Sequence, residues 1–271
     1  MSEVRTATAA ARPRSERALV LEQSDKALME LRAQLLAAPT ALNHRRVAEG
    51  YVSRGVLDAA YDHFTAALKL SPKDSSALAG RARVWRDWGQ PHLGLADAHR
   101  AVFHAPDSAA AINTLGTVLL KLGLPAEAAA AFQRALKLDP HAAYAFNNLC
   151  YVRLLQGHHQ EAIGLCAGAL SIAPDLSAAR NNLALAYAAS GDFESASQTF
   201  AKSSNSGAAS FNMGIAFLAT GRFTDAAAAF ERSAELRPSS RESRRRASAA
   251  RARAAGLSGA RTGGALRSAF P

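Results

Sequence analysis

Glycines Gly55, Gly89, Gly123, Gly157 and Gly191 recur every 34 residues, and prolines Pro72, Pro106, Pro140 and Pro174 keep the same step. Gly221 follows after 30 residues, and Pro238 stands at the usual offset from it. Two independent marks on one period require repeated supersecondary units rather than a single irregular core. About 14 residues precede each glycine and about 17 separate it from the next proline. Both segments place apolar residues at i, i+3, i+4 and i+7, which predicts helices. The glycine ends the first helix, where a left-handed residue is needed. The proline follows the second, where its missing N–H breaks no ladder. Each unit is predicted to be a helix–turn–helix hairpin.

Packing columns run at the same period. Ala48, Ala82, Gly116, Cys150, Ala184 and Gly214 form one column, and Ala60, Gly94, Ala128, Ala162, Ala196 and Ala226 another. Small residues there let two antiparallel helices approach closely. Bulk comes from Phe64, Ala98, Phe132, Cys166, Phe200 and Phe230, and from Tyr51, Trp85, Leu119, Arg153, Tyr187 and Phe217. A lone hairpin cannot bury these faces, so stability requires stacked neighbours.

Period, small–small pairing, turn glycine and closing proline together resemble the tetratricopeptide repeat, most clearly in NTLGTVLLKLGLPAEAAAAFQRALKLDP at 113–140. The resemblance covers six repeats at about 41–74, 75–108, 109–142, 143–176, 177–206 and 207–240, of a bacterial type. It implies an all-α, right-handed α-solenoid with a concave groove lined by the first helix of each hairpin. Residues 14–40 are expected to cap its start as one amphipathic helix carrying Leu19, Leu21, Leu28, Leu31, Leu35 and Leu36. A basic helix over 239–256 would cap its end. Residues 1–13 and 257–271 read as a disordered leader and tail. The fifth unit lacks its proline and is four residues short, about one helical turn, which predicts an early end to its second helix and a bend in the stack.

Hydrophobic residues make up 49% of the 271 and charged ones 20%, a globular balance. No apolar run is long enough to cross a bilayer. The abundance of Arg and Ala points to a GC-rich bacterial genome. The two cysteines, Cys150 and Cys166, are too few for a disulfide framework. Both are expected to be buried filler in a protein of the reducing cytoplasm. No GxxxxGK[ST], HExxH or GxSxG motif is present, so neither a cofactor nor a metal is expected, and the chain is not expected to be an enzyme.

The candidate binding face lies on the first helices. Asn113, Asn147 and Asn181 form one column beside Thr114, Asn148, Asn182 and Asn212. These asparagines are similar to the groove ladder in the repeats of the O-linked N-acetylglucosamine transferase. An amide offers a donor and an acceptor to any peptide backbone. Asparagine is also common in this column across the family, so the ladder has a structural reading as well. Arg45, Arg83 and Arg86 mark a basic end, partly offset by Glu49 and Asp87. Tyr151, Leu154, Leu185, Phe211 and Ile215 mark an apolar end of the kind that serves as an interaction site. The five-residue carboxylate clamp of chaperone-binding relatives would need Arg45, Glu49, Gly80, Ala110 and Thr114 to carry it, and only one of these is a cation.

Charge is concentrated at the C-terminus. From residue 239 onward there are eight Arg against one Glu, while the other 238 residues carry 24 basic and 21 acidic side chains. Arg241, Arg244, Arg245, Arg246, Arg251 and Arg253 could draw nucleic acid or an anionic membrane. The sequence therefore describes a scaffold or adaptor for other proteins, taking an extended peptide or a helix in its groove. An accessory factor acting through its basic C-terminus is the alternative.

Overall fold

The computed structural model describes residues 15–203 and 205–256. The expected leader at 1–13 and the tail at 257–271 lie outside them. Among the described residues every regular element is a helix. The chain divides into two compact units, residues 1–124 and 125–271.

The first unit holds α1 (Glu16–Ser24), α2 (Lys26–Ala37), α3 (Ala41–Val52), α4 (Leu57–Leu70), α5 (Ser75–Asp87), α6 (Pro91–His104) and α7 (Ala109–Lys121). The second holds α8 (Pro125–Leu138), α9 (Ala143–Leu155), α10 (His159–Ile172), α11 (Ser177–Ala189), α12 (Phe193–Ser203), α13 (Ser206–Ala219), α14 (Phe223–Leu236) and α15 (Arg241–Ala254). Within each unit consecutive helices pair as antiparallel hairpins, and each hairpin packs on the next. The turn glycines all have positive φ, from 68° at Gly55 to 93° at Gly191. That region is open to glycine without the Cβ penalty other residues carry.

Three of the four columns read from the sequence are core, while in the fourth Tyr51 and Leu119 are buried and Trp85, Arg153, Tyr187 and Phe217 only partly so. Phe64, Phe132, Phe200 and Phe230 are buried to within 1%, as are Ala60, Ala128, Ala162, Ala196 and Ala226. Close approach is literal at Gly214, where an added Cβ would stand 2.6 Å from the Phe230 ring. A buried ion pair also ties α5 to α6, with Arg81 Nε donating to Asp97 over 2.6 Å.

The N-terminal cap differs from expectation. It is two helices, not one, broken at Asp25 in an extended conformation. Asp25 leaves the helix because its carboxylate has better partners outside it. It accepts the Leu28 N–H at 3.0 Å as the N-cap of α2 and accepts from Arg54 Nε and Nη2 at 2.5 and 2.6 Å. The Arg54 hydrogen bonds, then the Leu28 amide, hold its pKa down at about 2.

In the fifth hairpin α12 has 11 residues where α4, α6, α8, α10 and α14 have 14. α13 nevertheless packs against both α11 and α12. At the C-terminus α15 buries Ser243, Ala247 and Ala250 against α14. The Ser233 hydroxyl, shared with Ser243 at 3.0 Å, donates to the Gly207 carbonyl at 2.7 Å.

One expectation fails outright. Cys150 and Cys166 are not free filler but a disulfide, with Cα atoms 5.4 Å apart. Cys150 occupies the small column of α9 and Cys166 the bulky column of α10. The same two positions meet in the α13–α14 hairpin, where Gly214 faces the Phe230 ring, so a thiol at both meets bonding geometry. The inference of a reducing cytoplasm rested on unpaired cysteines, and that premise falls with them.

A bridge across 16 residues should contribute about 3 kcal/mol by constraining the unfolded chain. Cys150→Ala/Cys166→Ala should therefore lower unfolding stability by at least that amount, read as a shifted urea midpoint. Cys150→Ala/Cys166→Phe restores the Ala184/Phe200 pattern and should recover part of the loss. No recovery would mean that the aromatic plug is not what the bond replaces.

Candidate functional site

In the second unit α9, α11 and α13 are the first helices of successive hairpins and lie side by side. They bring together Asn147, Asn148 and Tyr151 from α9, Asn181, Asn182 and Leu185 from α11, and Phe211 and Asn212 from α13. All eight are partly exposed. The Asn182 amide donates to the Asn147 side-chain carbonyl at 3.0 Å, which joins the two adjacent asparagine columns across α9 and α11. Each amide in that pair keeps further donors or acceptors for another ligand. Partial burial pushes the Tyr151 phenol pKa up. Asn113 lies on α7, in the first unit.

Two residues expected at this face are core instead. Leu154 is 1% exposed and packs with Cys150, Ala162, Cys166 and Leu183. Three positions beyond Tyr151, it has rotated toward α10. Ile215 is 9% exposed and packs with Ala226, Phe230 and the Ala247 and Ala250 face of α15. Phe211 is partly covered, since the guanidinium groups of Arg237 and Arg246 each stand 5.5 Å from its ring centroid.

The basic end on the first unit is largely neutralised within the protein. Arg45 faces Asp74 at 3.5 Å, and Arg83 of α5 is ion-paired with Glu49 of α3. Arg86 donates to Asp87 at 2.7 Å and to Thr117 of α7 at 2.7 Å. These side chains link neighbouring first helices more than they offer free charge. Arg45 also lines a cleft of about 670 Å³ with Leu31, Leu42, Arg46, Glu49 and Arg54.

The basic ridge on α15 is better exposed, with the Arg245 side chain at 76% and Arg251 at 66%. Glu242 pairs with both Arg245 and Arg246, which hold its carboxyl pKa at about 2. Arg251 reaches Glu231 at 2.6 Å, and Arg244 donates to the Pro238 carbonyl. Arg241 is exposed, and Arg253 stands 5.9 Å from the Phe223 ring.

Two features were not foreseen. A cleft of about 510 Å³ opens between α12, α13 and α14 over Phe193, Ser197, Ala209, Met213 and Phe217, with Arg232 on its wall. Its signal is the shortened fifth unit, in which α12 has 11 residues and Ser197 stands at the repeat position of Tyr61, Leu95, Ala129 and Ile163. The second is His44 of α3, whose Nδ1 lies 3.1 Å from Nδ1 of His63 on α4. His63 stacks on Tyr51, and burial pushes the His44 pKa down.

A family model described as tetratricopeptide repeat matches residues 113–177 and 211–260, and a second of the same description matches 153–210. Together they run over more than half of the chain. No curated protein matches it. Among solved structures, PilW, described as a widely conserved type IV pilus biogenesis factor, aligns at a TM-score of 0.64 and 22% identity, over 76% of this chain and 97% of its own. The Pseudomonas aeruginosa pilF structure aligns at 0.58 and 20% identity, over 81% and 98%. The Cut9–Hcn1 structure of the APC/C aligns at 0.70 and 17% identity, over 86% and 47%. Likeness at these identities establishes the hairpin fold.

The lowered His44 pKa gives the α3–α4 hairpin a pH dependence. Because the folded value lies below the ordinary one of about 6.5, the unfolded chain binds more protons as pH falls. Stability from this group is full above that value and declines below it. The urea midpoint should drop between about pH 8 and about pH 5, and His44→Gln should flatten the drop. An unchanged slope in the variant would assign the dependence elsewhere.

Proposed function

The chain belongs to the tetratricopeptide-repeat family, and from that premise we propose that it is a non-catalytic scaffold or adaptor. It holds an extended peptide or a helix of a partner protein on the first helices of its second unit. A scaffold of this kind would serve in building a larger complex. The observation that carries the reading is the Asn147–Asn182 amide pair spanning α9 and α11, flanked by Tyr151 and Leu185. Amides at the repeat spacing can bond a peptide backbone whatever its side chains. The half-exposed Tyr151 and Leu185 add apolar contact for selectivity. Asn148, Asn181 and Asn212 extend the polar track, and Phe211 bounds it where the arginines of the C-terminal segment begin.

One observation favours a second reading. The outward arginines of α15, Arg241, Arg245 and Arg251 among them, form an exposed ridge whose positive charge Glu242 and Glu231 offset only in part. Through it the protein would act as an accessory factor on nucleic acid or an anionic membrane. The described residues of α15 present no apolar wedge beyond the face already packed on α14, so such binding would be mainly electrostatic and steeply salt-dependent.

Affinity purification separates the two. Wild type is compared with Asn147→Ala/Asn182→Ala, with Tyr151→Ala/Leu185→Ala, and with Gln at Arg241, Arg245 and Arg251. Captured partners are identified by mass spectrometry, and helicity is checked by circular dichroism. Groove binding predicts capture that survives raised salt and the Gln substitutions but is lost from both groove variants while they remain helical. Undiminished capture by the groove variants would reject the groove. Loss on the Gln substitutions alone would shift the function to the ridge.

A further inference from the structure

We infer that the Cys150–Cys166 bond is a brace set once, at folding, by an oxidising compartment, and locked thereafter. Its bearing on the groove rests on the reading above; the bond itself does not. Both cysteines are 0% exposed. Leu154, Ala162, Leu183 and Ala186 close around them, with Ile163 and Leu185 packed outside. Exchange requires a thiolate to reach a disulfide sulfur in line. Neither sulfur can be reached from solvent while α9 and α10 are paired, so the bond must form before the hairpin closes and can break only when it opens.

The formation step needs one oxidant, a small disulfide such as oxidised glutathione. One cysteine thiolate attacks it, making a mixed disulfide and releasing a glutathione thiolate. The second cysteine thiolate then displaces the other glutathione. Two protein thiols are oxidised and one oxidant disulfide is reduced to two thiols. In a reducing cytosol the open chain would keep its thiols, and closure of the hairpin would bury them unbridged. The redox state of the folded chain thus records where it folded.

The repeat pattern supports a structural role for the bond. At this pair of positions four of the six units carry Ala or Gly opposite Phe: 48 with 64, 116 with 132, 184 with 200, and 214 with 230. The second repeat pairs Ala82 with Ala98, and the fourth has a covalent link where the others place a ring. The link holds α9 three residues after Asn147 and one before Tyr151. It thereby fixes the helix that carries half of the amide pair.

The full chain can be refolded from denaturant in two buffers, one with a glutathione pair at oxidising poise and one with dithiothreitol. Each product, while folded, is then challenged with the other reagent. Samples are denatured in N-ethylmaleimide and adducts counted by mass. The glutathione product is expected to carry no adduct and the dithiothreitol product two. Each should convert in the folded state more slowly than in denaturant, by on the order of 100-fold or more, as for groups exposed only by sub-global opening. Rapid conversion of the folded protein would overturn the lock and make the pair a solvent-accessible switch. Two adducts on the glutathione product would overturn the bond. A chain that refolds only with glutathione would support the inference further, with Cys150→Ala/Cys166→Phe refolded in dithiothreitol as the control for reagent damage. None of these readouts depends on a groove ligand, so they stand or fall apart from the proposed function.

Discussion

Two helices can lie close enough to share a seam only where their facing residues are small, and every hairpin here is built on that condition. Ala60, Ala128, Ala162, Ala196 and Ala226 are fully buried on the second helices. Opposite them the first helices offer Ala48, Ala184 or Gly214. At Gly94 an added Cβ would come within 2.8 Å of the Ala82 carbonyl. In four of the six repeats one large ring then fills the gap, and the ring of Phe64 already sits where a Cβ on Gly80 would be, at 2.3 Å. Burying such rings is worth roughly 1.5–3 kcal/mol each, and the gain exists only when the next hairpin is present. Helix register, and with it the placement of every groove side chain, follows from this packing.

What remains for function is the chemistry that packing leaves outside. On the first unit the outward arginines are largely occupied: Arg83 with Glu49, Arg86 with Asp87 and Thr117, Arg45 beside Asp74. Surface pairs of this kind contribute little stability, but they remove the free charge that would attract an acidic partner. On the second unit the repeat positions of Arg45 and Arg46 carry Asn147, Asn148, Asn181 and Asn182, which hydrogen-bond without demanding a counter-charge, and that of Arg83 carries Tyr151 and Leu185. A partner recognised there is selected by backbone geometry and apolar contact. The arginine ridge of α15 is the opposite case, strong in charge and poor in shape. It suits long-range attraction more than discrimination.

The hairpins were legible because glycine and proline punctuation and the small columns answer to one backbone constraint each. The cap was less so. Leu19 through Leu36 give a helical stripe whether or not the helix is continuous, and the break at Asp25 depends on Arg54, 29 residues away. Leu154 and Ile215 share helices with true groove residues. One step of about 100° separates a groove face from a seam, and periodicity without a partner helix does not fix which side is which. The Arg83–Glu49 ion pair and the Arg86–Thr117 hydrogen bond link different hairpins and so carry no local signal. The disulfide did have one. Placing Cys150 in a small column and Cys166 in the facing bulky column of the same hairpin already puts them opposite each other, and a count of only two cysteines concealed it.

The position of the bond within the stack also has a physical logic. A Phe plug holds a hairpin through dispersion and burial, which weaken when the neighbour that completes the pocket moves away. A covalent link does not depend on its neighbour. The hairpin next in sequence, α11 with α12, has the shortest second helix of the six, and α12 meets α13 through the small residues Ser197, Ala201, Ala209 and Ser210 that leave an open cleft. That thin seam lies one hairpin beyond the bond, while α9 and α10 both pack broadly on α11. The bond itself stands beside the helix whose Asn147 and Tyr151 must keep their register with Asn182 on α11.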